Sequence, residues 1–140
     1  MIAVDTSILI DLLGDNSRAD AAEACLRLAL SSGPVVVCDV VVSEVTAGLG
    51  HGSEVMDALE EMGLSFLALD QRAAIRAGEM QRKYKQRMRT TDEAATAARS
   101  IPDFLVGAHA MLQCDALLTR DDSFFREYFK GLKVITPGQP

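Results

Sequence analysis

The chain has 140 residues, 49% of them hydrophobic, which fits one domain with its own core and leaves no room for a second. No apolar stretch approaches the roughly 18 residues of a membrane span, Met1 leads into a strand-like run without a basic leader, and Cys25, Cys38 and Cys114 form no close pair. A membrane span, a disulfide framework and a CxxC metal knuckle are thereby excluded, and a cytoplasmic protein is expected. The formal net charge of −6 argues against a generally basic, phosphate-binding surface, but Arg82, Lys83, Lys85, Arg87 and Arg89 gather positive charge in one segment.

Residues 2 to 4 form a first short strand, and Ile8 to Leu13 a turn or two of helix stopped at Gly14-Asp15-Asn16. Ser17 followed by Asp20 resembles a capping box for a helix reaching Leu30, which Gly33-Pro34 breaks. Val35-Val36-Val37-Cys38 is a continuous apolar run, as expected of a strand buried on both faces. A helix from Val41 to Leu49 follows, with Glu44 in its first turn and Gly48, Gly50 and Gly52 ending it. Val55, Leu59 and Met62 mark another helix, and Ser65 to Leu69 a third strand.

Asp70 is the expected N-cap of a helix from Gln71 towards Gln86, with Ala74, Ala77 and Met80 or Gln81 facing inward. Thr90 and Glu93 offer either a capping box or part of a surface loop. Pro102 suits the first turn of a helix through Leu112, Ala116 to Thr119 a fourth strand, Ser123 to Phe129 a short helix, and Lys133 to Ile135 a last strand. Strands alternating with helices imply a single α/β domain over 1–140, its parallel or mostly parallel sheet joined by right-handed crossovers.

Asp5 ends the first strand, Asp121 follows the fourth, and Glu44 and Asp103 stand where helices begin. In a parallel sheet the carboxyl ends of the strands open onto one crevice. Each acid alone has an ordinary explanation as a helix-start residue, where unpaired N–H groups favour negative charge. Together they suggest one site. Two unit charges about 5 Å apart repel by roughly 3 kcal/mol at an effective dielectric near 20, so such a cluster must take up protons or a cation. Hard oxygen ligands suit Mg²⁺ or Mn²⁺, which can acidify water and polarise a phosphoryl oxygen. A metal-dependent nuclease is the leading reading.

Neighbouring acids and bases have readings of their own. Asp70 is explained by capping, Asp39 by the start of a helix, and Asp11 is expected at the solvent rim of the crevice. Asp121 is preferred to its neighbour Asp122 because Thr119, two residues earlier in an extended segment, shares its face. Arg82, Lys83, Arg87 and Arg89 form a candidate track for a phosphate backbone, with a solvated helix face as the alternative; Arg99 and Arg120 stand beside the motifs. Tyr84 and the group Phe124, Phe125, Tyr128 and Phe129 are read as core. His109 lies six residues past Asp103, about 600° of helical rotation, and is read as structural; His51 sits in a glycine-rich turn.

No GxxxxGK[ST], HExxH or GxSxG is present, and the glycines around His51 follow a helix rather than a strand, which excludes a dinucleotide fingerprint. A DxDxT phosphatase start is absent as well. A receiver-like signalling module that holds Mg²⁺ is the rival from another class. It would require a phosphoacceptor such as Asp70 and a strand-ending Lys, and no such Lys is found.

Val4-Asp5-Thr6-Ser7, Ser43-Glu44-Val45, Pro102-Asp103-Phe104-Leu105-Val106-Gly107-Ala108 and Leu117-Leu118-Thr119-Arg120-Asp121 resemble, in order and spacing, the four signatures of PIN-domain ribonucleases. Single-domain toxins of the VapC type are the nearest in pattern. The resemblance implies a central parallel sheet between helices and an Mg²⁺- or Mn²⁺-dependent site. Carried over by motif, Asp5, Glu44, Asp103 and Asp121 are the acidic quartet with Thr119 beside them, and Asp5, Asp103 and Asp121 are the metal ligands. It further implies an RNA substrate, a small antitoxin that silences the enzyme, and a homodimer. A PIN ribonuclease with a housekeeping role and no antitoxin is the alternative within the family.

Overall fold

The computed structural model describes residues 1–14, 17–88 and 100–138. Five short strands, β1 (Ile2–Val4), β2 (Val35–Val37), β3 (Ser65–Phe66), β4 (Ala116–Leu118) and β5 (Lys133–Ile135), form one sheet in the order β3-β2-β1-β4-β5. Every pairing is parallel, with Ile2 opposite Val35 and Ala116, and Val4 opposite Leu118. All three residues of β2 and of β4 are buried. Consecutive strand residues point to opposite faces, so helices cover both sides of the sheet centre.

Helices α1 (Thr6–Leu13) and α2 (Ala19–Ser32) join β1 to β2, and α3 (Asp39–Leu49) and α4 (Gly52–Glu61) join β2 to β3. Helices α5 (Gln71–Met88) and α6 (Ile101–Gln113) then carry the chain across to β4, and α7 (Asp122–Tyr128) leads to β5. The chain thus grows from β1 outward through β2 to β3, then jumps to the other side of β1 and grows outward again. The reversal falls between β1 and β4, and in open α/β sheets the crevice at the carboxyl ends of such a strand pair is where ligands bind.

Several boundaries differ from the sequence expectation for local reasons. Arg18, not Ser17, precedes α2, and its side chain makes no capping bond. Helix α3 starts at Asp39, whose Oδ1 accepts the Leu69 amide at 3.1 Å, so Glu44 stands in the second turn rather than the first. The third strand is two residues long because the chain leaves the sheet edge after Phe66, which is 50% exposed. Residues 67 to 70 are held against α3 and α6: His109 Nε2 donates to the Leu67 carbonyl at 2.9 Å, and Gln113 bonds both the Ala68 carbonyl and the Asp70 amide. Asp70 caps α5 through the Ala73 amide at 2.8 Å, as expected. The inward stripe of α5 begins at Ala73 and runs through Ala77 to Tyr84, leaving Ala74 exposed. The Thr90 and Glu93 pair lies outside the described residues.

Arg72 at the start of α5 donates to the Leu112 carbonyl at the end of α6, while Tyr84 near the end of α5 meets Phe104 near the start of α6, with ring centroids 5.4 Å apart. The two helices therefore run antiparallel. Phe104 is the hub of an aromatic cluster with Tyr84, Phe124, Tyr128 and Phe129, so the Phe-rich α7 packs inward as core. Gly107 permits this packing: a Cβ at that position would lie 2.4 Å from the Phe129 ring. Gly50 ends α3 at φ 109°, a conformation that other residues adopt only with strain.

Candidate active site at the β1 and β4 carboxyl ends

The apolar run of β1 ends where the Asp5 amide makes its last sheet bond, to the Leu118 carbonyl at 2.9 Å. Asp5 then caps α1, its Oδ1 accepting the Thr6 amide at 2.8 Å. Its Oδ2 accepts two hydroxyl protons, from Thr119 at 2.6 Å and from Ser7 at 3.0 Å. Thr119, just past β4 and 0% exposed, also accepts the Asp121 amide through Oγ1 at 3.0 Å. Ser7 Oγ accepts the Arg120 amide at 3.1 Å. Six residues of two chain-distant segments, Asp5 to Ser7 and Thr119 to Asp121, are thereby tied into one hydrogen-bonded unit.

Burial pushes the Asp5 carboxyl above its ordinary value of 3.8. The hydrogen bonds from Thr119, Ser7 and Thr6 oppose the shift because they favour the ionised form, and the Asp121 charge reinforces it. Asp5 therefore senses the charge of Asp121. Asp122, by contrast, is engaged by Arg126 one helical turn on, at 3.4 Å. Of the two neighbours, Asp121 is the one whose charge acts on Asp5.

Glu44 reaches the same edge from α3, where its Oε1 accepts the Thr6 hydroxyl at 2.8 Å. Asp103 lies in the first turn of α6, behind Pro102. Because α3 follows β2 and α6 runs antiparallel to β4, both helix starts stand at the carboxyl edge of the sheet. Among the described residues, no three Asp, Glu, His or Cys side chains are grouped closely enough to ligate one ion. Mg²⁺ keeps several waters and is commonly bound through one or two carboxylates plus substrate phosphate. Half-buried Asp5, disfavoured as an anion by burial and by the Asp121 charge, is an oxygen donor of the kind such an ion takes.

Asp11 departs from expectation. It is 1% exposed rather than at the rim, and Arg120 grips it through Nε at 2.9 Å and Nη2 at 3.4 Å. Arg120, expected beside a phosphate, is in this structure joined to α1. Sequence reasoning gave no role to Thr6, Ser7 or Asp11. The run Asp5-Thr6-Ser7 after a strand was the signal for the hydroxyls, since such residues bond locally at helix starts. An acid between Ile10 and Leu12 was the signal for the buried ion pair.

Of the candidate RNA-contacting residues, Arg82, Lys83 and Arg87 are exposed on α5, and Arg87 pairs with Glu127 at 3.2 Å. Arg89 and Arg99 lie outside the described residues. His109 is buried, and burial holds its ring below the ordinary 6.5, in keeping with a structural role. No described helix is long and apolar enough to cross a membrane.

Such an acid pair at the switch point of a five-stranded parallel sheet belongs to a recognisable class of α/β domain. The PIN-domain family model matches residues 2–130, and the chain belongs to the PIN-domain family. That membership sets aside the receiver-like reading. Among curated proteins, none matches the chain. Solved structures do. VapBC2 of Rickettsia felis, bound to a promoter DNA fragment, aligns with a TM-score of 0.73 at 17% identity, covering 98% of this chain and 99% of that one. A toxin–antitoxin complex of Klebsiella pneumoniae aligns at 0.63 and 22% identity over 100% of both chains. The Mycobacterium tuberculosis toxin VapC20, which cleaves the sarcin-ricin loop, aligns at 0.58 and 19% identity over 84% of this chain and 87% of that one. At these identities the likeness is one of fold.

Proposed function

We propose that the protein is a Mg²⁺- or Mn²⁺-dependent endoribonuclease and the toxin of a type II toxin–antitoxin pair. The observation that carries this reading is Asp5: a half-buried carboxylate under the charge of Asp121, at the switch point of a PIN domain. A divalent ion held by Asp5 and Asp121, with Asp103 at the same edge, would offset their repulsion and supply an acidified water and a Lewis acid for the phosphodiester.

The chain's own residues divide the remaining work. Thr119 and Ser7 favour the ionised form of Asp5 and fix its Oδ2, and Thr119 also orients the Asp121 backbone. Glu44, exposed and joined to Thr6, is the group proposed to orient or deprotonate the attacking water. In-line attack leaves a 5′-phosphate and a 3′-hydroxyl. Arg82, Lys83 and Arg87, with Arg89, Arg99 and Arg120, are the cations proposed to meet RNA.

An antitoxin partner, a homodimer and a cytoplasmic address belong to the same proposal. Their support is that solved structures of this fold include toxin–antitoxin complexes from several bacteria. The test is cleavage of a mixed cellular RNA pool with Mn²⁺, with chelator, and with Asp5→Asn. Cleavage that survives both chelator and the substitution would refute the metal-dependent reading. Co-purification with the product of a short reading frame immediately upstream, and inhibition by it, would establish the toxin role.

A further inference from the structure

The basic residues of α5 divide between two faces. Arg76, Met80, Lys83 and Arg87 recur at helical intervals and form one stripe, whereas Arg82 and Lys85 border a different depression. The stripe is one wall of a groove of about 490 Å³; α7 and the turn after it supply Glu127, Tyr128 and Lys130 on the other side. Among the described residues, four cations thus face the groove against one acid, and that acid is already engaged by Arg87 at 3.2 Å. Arg87 also lies over the Tyr128 ring, 5.5 Å from its centroid. Among the described residues, Arg76, Lys83 and Lys130 form no ion pair, and all three are exposed. On a chain of net charge −6 this is a marked local excess.

The groove has a direction. Tyr84 contributes to its lining and packs on Phe104, the residue after Asp103, so its α5 C-terminal end approaches the acidic edge of the sheet. Arg76 and Lys83 are roughly 10 Å apart along the helix axis, and Lys83 and Arg87 roughly 6 Å. A line of charge suits a polymer with an anion at every unit. The volume, about that of a site for one drug-sized molecule, has room for a nucleotide or two.

Resting on the ribonuclease reading, we propose that the groove between α5 and α7 carries the single-stranded RNA flanking the cleavage position, with Arg76, Lys83 and Lys130 on its phosphates. Arg76 and Lys130 lie outside the basic segment that stands out in the sequence, and only the fold brings them beside Lys83. An acidic peptide has complementary charge too. RNA is favoured because the groove leads towards the site that a phosphodiester must reach.

The test measures binding of a fluorescent single-stranded RNA to Asp5→Asn protein without divalent ions, as a function of salt. Arg76→Glu with Lys130→Glu is expected to weaken binding at least tenfold and to reduce the salt slope by about 1.4, the share of two phosphates on a single strand. Arg27→Glu with Lys133→Glu changes the net charge equally, away from the groove, and should cost less than threefold. Equal losses in the two double variants, no loss in the first, or equally strong competition by polyglutamate would overturn the groove. Wild-type cleavage with binding indifferent to Arg76 and Lys130 would sink this inference and leave the nuclease standing. Groove-dependent binding with no cleavage in Mg²⁺ or Mn²⁺ would do the reverse.

Discussion

Thr119 donates its hydroxyl proton to Asp5 at 2.6 Å across 114 residues of chain, and the same oxygen receives the Asp121 amide. One buried hydroxyl thus couples the strand that supplies the first acid to the turn that supplies the last. Thr119→Val keeps the shape and removes both bonds. Loss of a bond that favours the ionised carboxylate raises the Asp5 pKa further, so the acid limb of the cleavage profile should move to higher pH. Stability should fall by roughly 1–2 kcal/mol, while Thr119→Ser should restore most of both. A pH–rate profile of the valine variant that overlays the wild type would remove Thr119 from the mechanism.

Asp5→Asn is expected to abolish cleavage without lowering the melting temperature. The sign follows from the raised pKa of Asp5 in the fold. A carboxyl that holds its proton more tightly when folded costs stability once ionised; the cost is present above the folded pKa and disappears as pH falls through it towards 3.8. At neutral pH the asparagine variant should therefore melt at the wild-type temperature or above. Mn²⁺ should raise the melting temperature of the wild type and not of the variant. A strongly destabilised variant would show instead that the charge is needed for folding.

His109 predicts a pH effect of the opposite sign. Burial lowers its pKa below 6.5, against the opposing pull of the Leu67 carbonyl, Asp39 and Asp70. A base that resists protonation in the fold lends stability that is complete above the unfolded pKa and is lost as pH falls towards the folded one. Melting temperature should therefore drop below about pH 6.5 more steeply in the wild type than in His109→Gln, whose amide can still donate to Leu67. Parallel curves would mean that His109 is not charged on unfolding in this range.

Gly107→Ala tests the packing of α6 on the aromatic cluster. The added methyl would meet the Phe129 ring at 2.4 Å, far inside contact distance. Ring and helix must separate, at a cost of roughly 1–3 kcal/mol. Because Asp103 lies one turn earlier on α6, the loss should be accompanied by reduced cleavage. An alanine variant as stable as the wild type would indicate that Phe129 moves freely.

The strand ends were readable in the chain because a run such as Val35-Val36-Val37 has no stable place except a sheet covered on both faces. Asp5, Asp103 and Asp121 follow from such landmarks, since each stands directly at an element boundary. Glu44 was harder. Its turn depends on where α3 begins, and that is set by Asp39 bonding to Leu69, thirty residues on. The burial of Asp11 is not legible locally, because the arginine that makes it tolerable is 109 positions away. Lys83 and Arg82 are neighbours in sequence and border different hollows, a separation that helical phase and the position of α7 decide together.

The place of β1 at the centre of the sheet has a consequence during synthesis. The first strand to leave the ribosome stays unpaired on one side until residues 116 to 118 emerge to lie against it. Asp5 meets neither Thr119 nor Asp121 before then. An interrupted translation product that ends before residue 116 carries its opening aspartate with nothing opposite it.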